Sequence, residues 1–338
     1  MEEVEKAYYR PMPCDPAAAG ALRLAGGGLH FASAERITRR GRRIVPAGDI
    51  PPDKLARLTA PRPRLCGLDL ARPRLMGILN VTPDSFSDGG LHVRPEDALA
   101  RAEAMRAEGA DLIDIGGEST RPGAEDVPEA EELRRTIPVI RALRAAGFAA
   151  PISIDTRKAS VARAAAEAGA DLFNDVSALT FDAESLAFAR ASGLPVILMH
   201  AQGDPKTMQA DPRYEDVLLD VYDWLEARIA ACEAAGIPRA RLMVDPGIGF
   251  GKTLAHNLAL IRGLSLFHGL GCPVLLGVSR KGFIGALTGV REAGQRLGGS
   301  VAAGLAGLDQ GAQILRVHDV GVTKQAIDVW LALNEGRT

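Results

Sequence analysis

The stretch Glu108-Gly-Ala-Asp-Leu-Ile-Asp-Ile-Gly-Gly-Glu-Ser-Thr-Arg-Pro-Gly123 decides how the chain is read. It contains a helix end, a glycine turn, an apolar strand at Leu112–Gly116 and then a polar, glycine-rich run. The opening phrase recurs as Glu167-Ala-Gly-Ala-Asp-Leu172, so the unit repeats. Outward from it, short apolar runs alternate with longer Ala-, Arg- and Glu-rich stretches. The expected strands are Leu75–Val81, Leu112–Gly116, Ile152–Asp155, Leu172–Val176, Val196–His200, Met243–Asp245, Val274–Val278 and Ile314–His318. Helical segments are expected near 95–108, 129–146, 158–168, 183–192, 215–235, 255–263, 295–310 and 322–334. Continuous rather than alternating apolar strands suit a parallel sheet covered on both faces. An open doubly wound sheet would show the same alternation. Eight units favour the closed form, an α/β (β/α)8 TIM barrel over 73–338 with an N-terminal extension over 1–72.

Composition narrows the function classes. The 338 residues carry 40 Lys and Arg against 42 Asp and Glu, so the overall charge makes no case for nucleic acid or an acidic membrane. Hydrophobic residues make up 47% of the chain, which excludes general disorder. No apolar run approaches the ~20 residues of a spanning helix. Cys14, Cys66, Cys232 and Cys272 are scattered, with neither metal-ligand nor disulfide-framework spacing. The acidic start Met1-Glu2-Glu3 is not a secretory signal, and Arg39-Arg40 has no apolar region after it, so a cytoplasmic location is expected.

The extension differs from the rest. Residues 1–72 hold 13 basic and 8 acidic side chains, with Arg36, Arg39, Arg40, Arg42 and Arg43 clustered. The cluster suggests a solvated turn in a short β-hairpin, with strands near Leu29–Ile37 and Arg43–Pro46, capping or flanking the barrel. The competing reading is a nucleic-acid arm, which would bind oligonucleotides with strong salt dependence.

Chemistry concentrates where the strands stop. Asn80, Asp114, Asp155-Thr-Arg157, Asn174, His200, Asp245, Ser279-Arg-Lys281 and Arg316-Val-His318 all stand at strand ends, which in a parallel barrel open on one face. A polar residue at one such end is ordinarily a helix cap, but eight of eight point to a hydrogen-bonding substrate. Lys281, Arg316 and His318 come from the last two strands, the customary phosphate-binding loops of this fold. Gly247-Ile-Gly-Phe-Gly-Lys-Thr253 is not a P-loop, because Pro246 occupies the first glycine position, and Lys252 breaks the dinucleotide pattern. It reads as a flexible loop beside the site.

These residues resemble a known family. Gly77-Ile-Leu-Asn-Val-Thr-Pro-Asp-Ser-Phe-Ser-Asp-Gly-Gly90 and Asp114-Ile-Gly-Gly-Glu-Ser-Thr-Arg-Pro-Gly123 are similar to the signatures of dihydropteroate synthase. Asp245-Pro-Gly-Ile-Gly-Phe-Gly-Lys252, Ser279-Arg-Lys-Gly-Phe283 and Arg316-Val-His-Asp319 continue the match in order, over about 74–334. One departure is Ala201, where the family often has Met, a change expected to affect packing.

The resemblance implies condensation of 6-hydroxymethyl-7,8-dihydropterin diphosphate with p-aminobenzoate to dihydropteroate and pyrophosphate. That is a step of folate biosynthesis and the target of sulfonamides. It further implies Mg2+ and a homodimer, formed through a helix around 295–334. By motif position, Asp114, Asp155, Asn174, Asp245 and Lys281 resemble the pterin set. Asn80, Arg316 and His318 resemble the diphosphate set, with Asn80 also on the metal. Phe86, Thr120, Arg121, Pro122 and Ser279 resemble the aminobenzoate set. Catalytic roles are expected of Asp155, Lys281, Arg121 and Asp88, the last two as a pair that completes the aminobenzoate pocket.

The chemistry fits these types. A carboxylate can accept the paired N–H donors of an aminopyrimidinone in a fork, and an amide matches a mixed edge. An aryl amine is nucleophilic already, so no Ser-His or Cys-His pair is required. The expected mechanism is dissociative: diphosphate leaves, carboxylates led by Asp155 stabilise the cationic methylene, and the amine attacks. Loops 81–90 and 118–123 are expected to close and exclude water. His200 reads as structural or as a base, and the sequence leaves both open. Competing functions are a pterin-binding methyltransferase, which has no use for a diphosphate clamp, and a non-catalytic barrel.

Overall fold

The computed structural model describes residues 5–82, 94–119, 124–203 and 207–335. From residue 74 the chain alternates strand and helix: β5 (Arg74–Asn80), α2 (Pro95–Ala107), β6 (Leu112–Gly116), α3 (Glu129–Ala145), β7 (Ile152–Asp155), α4 (Ala159–Ala168), β8 (Leu172–Asp175) and α5 (Ser185–Ser192). There follow β9 (Val196–Met199), α6 (Val217–Ala234), β10 (Leu242–Asp245), α7 (Leu254–Arg262), β11 (Leu275–Leu276), α8 (Gly282–Thr288), α9 (Leu297–Leu308), β12 (Ile314–Val317) and α10 (Val320–Glu335). Every strand pairing among the eight is parallel, in the order β10-β9-β8-β7-β6-β5-β12-β11. A parallel bridge between Val244 and Val274 joins the two ends, and the sheet is a (β/α)8 barrel.

Alternation along each strand sorts the side chains. Met76, Leu112, Leu172, Ile197, Met243, Leu275 and Ile314 pack together as an apolar layer inside the barrel, and Leu65 and Leu70 join it from the segment before β5. Residues between them, such as Leu75, Ile113, Ile115, Leu198, Val244 and Leu315, face the helices in the larger core. With a period of two, the next inward positions after Leu112, Leu172, Met243 and Ile314 are Asp114, Asn174, Asp245 and Arg316. One step along the barrel axis therefore turns an apolar layer into a polar one.

The expected strands all occur, most of them shifted or shortened by one or two residues at an end. The strand expected at Val274–Val278 shrinks to Leu275–Leu276. Among the helical pieces that went unforeseen, α8 starts at once after Ser279-Arg-Lys281, and a 3-10 segment, Leu264–Leu270, follows α7.

Ahead of the barrel lie β1 (Tyr8–Cys14), β2 (Leu22–Arg23), β3 (His30–Thr38), β4 (Gly41–Pro46) and α1 (Pro52–Thr59). The strands form an antiparallel sheet in which β3 pairs β1, β2 and β4. The sequence reading missed β1 because Pro11 and Pro13 argue against a strand. Here they sit in a strand whose register shifts between Met12 and Pro13. The arginine turn is not simply solvated. Arg39 donates to Asp220 at 2.5 Å and Asp223 at 2.9 Å, and Arg42 donates to Asp216 at 2.8 Å. Lys6 reaches Asp223 and Glu226, both at 2.6 Å. These acids form one stripe on α6, and Asp216 caps its N-terminus by accepting from the Leu218 and Leu219 N–H groups. The cluster is thus a docking contact onto the barrel.

Candidate functional site

The polar layer is a connected network. Asp114 Oδ2 accepts from Arg316 Nε at 2.6 Å and from Asn174 Nδ2 at 3.0 Å. Arg316 Nη2 donates to Asp155 Oδ2 at 2.7 Å. Asp114, Asn174 and Arg316 stand on β6, β8 and β12, strands that are not adjacent, so these bonds cross the barrel interior. Asp245 on β10 supplies the fourth alternate strand of the layer. Asp114 is fully buried, and its Oδ1 has no hydrogen-bond partner among the described residues. A buried carboxylate oxygen left without a donor is costly, and a donor from a bound molecule would relieve that cost.

Burial governs the charges. It pushes Asp155 up to about 7, against the pull of Arg316 and with the help of the Asp114 charge. Asp245 rises to about 6, mainly through burial, opposed by the Gly247 N–H at 2.7 Å and by Lys281 and Arg316. Asp175, next to Asn174, also rises to about 6 through burial. Its oxygens accept from Ser177 N, Ser177 Oγ and Leu179 N, so it builds the turn after β8.

At the rim, Ser279 and His318 meet: Ser279 Oγ lies 3.0 Å from His318 Nδ1 and accepts from the His318 N–H at 3.2 Å. The sequence reading put these two in different sets, and the structure makes them neighbours. Between Ser279 and Lys281, Arg280 adopts a left-handed backbone with φ of 59°. It is held there by its ion pair to Asp319, by Ser300 Oγ accepting its N–H at 2.8 Å, and by Arg296 donating to its carbonyl at 3.0 Å. That conformation is uncommon for a bulky residue, and it aims the flanking side chains. Lys281 Nζ stands 4.0 Å from the centroid of the Phe250 ring.

Asn80 ends β5 and is half-buried. A Cβ on Gly116 would come within 3.6 Å of Asp155 Oδ2 and 3.7 Å of Asn80 Oδ1, so both groups border the end of β6. The described residues contain no group of three His, Cys, Asp or Glu suited to a metal. Near the end of β5, Asn80 offers a single amide carbonyl oxygen, a ligand type that suits magnesium.

Some expected site residues lie outside the described residues: Phe86, Asp88, Thr120, Arg121 and Pro122. Earlier in the chain than the last three, Glu118 is buried. It accepts from Val127 N at 2.8 Å and pairs with Arg157 at 3.1 Å and Lys158 at 3.3 Å. Sequence reasoning passed over Glu118 as a support, although it sits inside a quoted motif.

The loop read as flexible is in fact tied down. Gly249 N donates to Asn257 Oδ1 at 2.7 Å, Gln209 Nε2 to the Gly249 carbonyl at 2.5 Å, and Tyr214 Oη to the Gly251 carbonyl at 2.8 Å. Lys252 Nζ donates to the Phe250 carbonyl at 2.9 Å. Lys252 also lies 2.9 Å from His200 Nδ1, and burial pulls its ammonium down to about 7. Burial and that lysine hold His200 well below the ordinary histidine range. The His200 ring packs edge-on against Trp224 at 5.0 Å. Its Nδ1 is thus engaged and its ring enclosed.

Comparison with known proteins agrees with this geometry. Residues 76–318 match the family model described as pterin binding enzyme. The chain is 50% identical over 262 residues to the dihydropteroate synthase of Escherichia coli (strain K12), covering 78% of this chain and 92% of that one. A Yersinia pestis dihydropteroate synthase structure with a sulfonamide drug complex superposes with a TM-score of 0.76 at 50% identity, covering 79% of this chain and 96% of that one. A Xanthomonas albilineans dihydropteroate synthase in complex with 7,8-dihydropteroate gives a TM-score of 0.72 at 48% identity, covering 81% of this chain and 98% of that one. The barrel, its polar layer and these likenesses together place the chain in the dihydropteroate synthase family of pterin-binding enzymes.

Proposed function

We propose that the polar layer grips the pterin in the dihydropteroate synthase reaction, and that the residues divide as follows. Asp114 Oδ1, buried and lacking a donor, accepts a pterin N–H, and this single observation carries the reading. Asn174 matches the mixed edge beside it, and Asp245 accepts from the amino-pyrimidinone end. Lys281 donates to the ring from the rim. Ser279 takes the aminobenzoate, together with Phe86, Thr120, Arg121 and Pro122. Asn80 and His318 face the diphosphate. Arg316 serves both ends, because its guanidinium already bridges Asp114 and Asp155.

The reaction starts when the bond between the pterin methylene and the diphosphate oxygen breaks, with the electron pair leaving on diphosphate. Magnesium, when it accompanies the diphosphate, neutralises its charge and makes it a better leaving group. Positive charge then develops on the dihydropterin, beside Asp155 and Asp114. Asp155 in its charged form, with Asp114 beside it, stabilises that cation electrostatically as the charge forms. The aryl amine lone pair closes the new C–N bond, and the nitrogen passes its extra proton to the departed diphosphate. Asp88 and Arg121 are assigned to closing the aminobenzoate side.

A cytoplasmic location is supported by four free cysteines, as a reducing compartment allows. No described helix is long and apolar enough to cross a membrane. A homodimer is supported by the exposed Val322, Val329 and Leu333 on α10, whose spacing puts them along one side. Pyrophosphate release with both substrates, against each alone, tests the assignment. Release that is faster with both than with either alone upholds it, and none with both present overturns it.

A further inference from the structure

Lys252 is a buried charged side chain that the mechanism does not use. It is only 3% exposed, and its Nζ lies 2.9 Å from His200 Nδ1 and donates to the Phe250 carbonyl at 2.9 Å and to the His200 carbonyl at 3.4 Å. His200 ends one barrel strand, and Phe250 lies in the loop after the next. The backbone between them is crowded as well. A Cβ on Gly247 would fall 1.8 Å from the His200 carbonyl oxygen, and one on Gly251 would fall 2.4 Å from that of Gln202. This loop runs directly against Lys281, since a Cβ on Gly249 would sit 3.3 Å from Lys281 Cδ.

We propose that Lys252 is a positioning residue for the pterin end of the site: by clamping the Phe250 carbonyl to the end of β9 it fixes the Phe250 ring beneath Lys281 and so sets where the Lys281 ammonium meets the substrate. A lysine suits this task because a single ammonium satisfies three acceptors, two of them carbonyls on different loops. A methionine at the same place fills the volume and leaves those acceptors unpaired. The inference rests on the reading of Lys281 as a pterin contact, and the experiment separates the two.

The test is steady-state kinetics with the dihydropterin diphosphate and p-aminobenzoate varied in turn. It uses wild type, Lys252→Met, Lys252→Gln, Phe250→Leu, the Lys252→Met/Phe250→Leu double variant and Lys281→Gln. Lys252→Met is expected to raise the pterin KM about fivefold, the scale of one lost cation–π contact, with a smaller change in kcat. Lys252→Gln, which keeps a donor for the Phe250 carbonyl, recovers part of the loss. The double variant is no worse than the poorer single one, because both changes remove the same contact. A double loss equal to the product of the single losses, or an unchanged pterin KM in Lys252→Met, overturns the inference. If Lys252→Met does not fold, the same cycle with Lys252→Gln decides. Should Lys281→Gln leave the pterin KM untouched, the reading of Lys281 fails and the inference falls with it. An impaired Lys281→Gln beside a normal Lys252→Met refutes the inference alone.

Discussion

Arg316 Nε donates to Asp114 Oδ2 across the barrel at 2.6 Å, while its Nη2 donates to Asp155 at 2.7 Å. One guanidinium thus separates two buried carboxylates and leaves Asp114 Oδ1 available to a ligand donor. Replacing Asp114 by Asn keeps the shape and removes one charge. The expected result is a fall in kcat/KM of about 100-fold or more, the cost of a charge-assisted contact in a buried site. With the neighbouring charge gone, Asp155 titrates lower, and the acid limb of the kcat/KM profile moves to lower pH. An unmoved limb would show that the two carboxylates are not coupled.

The raised carboxyls give the free protein a pH signature of definite sign. Asp155, Asp175 and Asp245 hold protons in the folded state up to about 7, 6 and 6. An unfolded carboxyl releases its proton near ~4. Stability from these three is therefore fully present below the unfolded value and is lost as pH rises through 6 to 7. On the proposed reading the pterin binds the charged forms of Asp155 and Asp245, so its stabilising effect grows over the same interval. Thermal unfolding with and without the pterin checks this: the ligand-induced rise in Tm is larger at pH 7.5 than at pH 5.5.

The segment before β5 closes the barrel floor. Leu65 and Leu70 pack with Met76, Leu112 and Ile314. Leu70→Ala is expected to cost about 2–4 kcal/mol by leaving a cavity, with both KM values unchanged. Arg39→Ala, which removes a half-exposed ion pair with α6, costs less than about 1 kcal/mol and loses its effect at high salt. Denaturant titrations of the two variants measure the contrast.

Gly247 combines a left-handed φ of 69° with the tight approach to the His200 carbonyl. Gly247→Ala forces β10 and β9 apart where Asp245 meets its loop. A loss of pterin binding is expected even where the variant stays folded, as circular dichroism and pterin titration together would reveal.

The barrel was legible because each strand is a short apolar run with a polar end. The polar layer was legible as a set of residues but not as a layer. Nothing in the spacing of Asp114, Asn174, Asp245 and Arg316 says that their side chains bond across the interior, and the sequence grouped Arg316 with the diphosphate alone. Lys252 was hidden because its loop was weighed as a nucleotide motif and set aside. Its role depends on His200, 52 residues earlier in the chain. Arg280 escaped because an unusual φ leaves no mark in a residue name. The β1 strand escaped because its two prolines are tolerated at a bulge, which only the register reveals.

A crystal structure with the dihydropterin bound tests the central claim most directly. The expected result is the heterocycle lying over the polar layer with a ring N–H on Asp114 Oδ1 and its amino-pyrimidinone edge against Asn174 and Asp245. A pterin seated elsewhere, or one bound there while Asp114 Oδ1 stays without a donor, would contradict it.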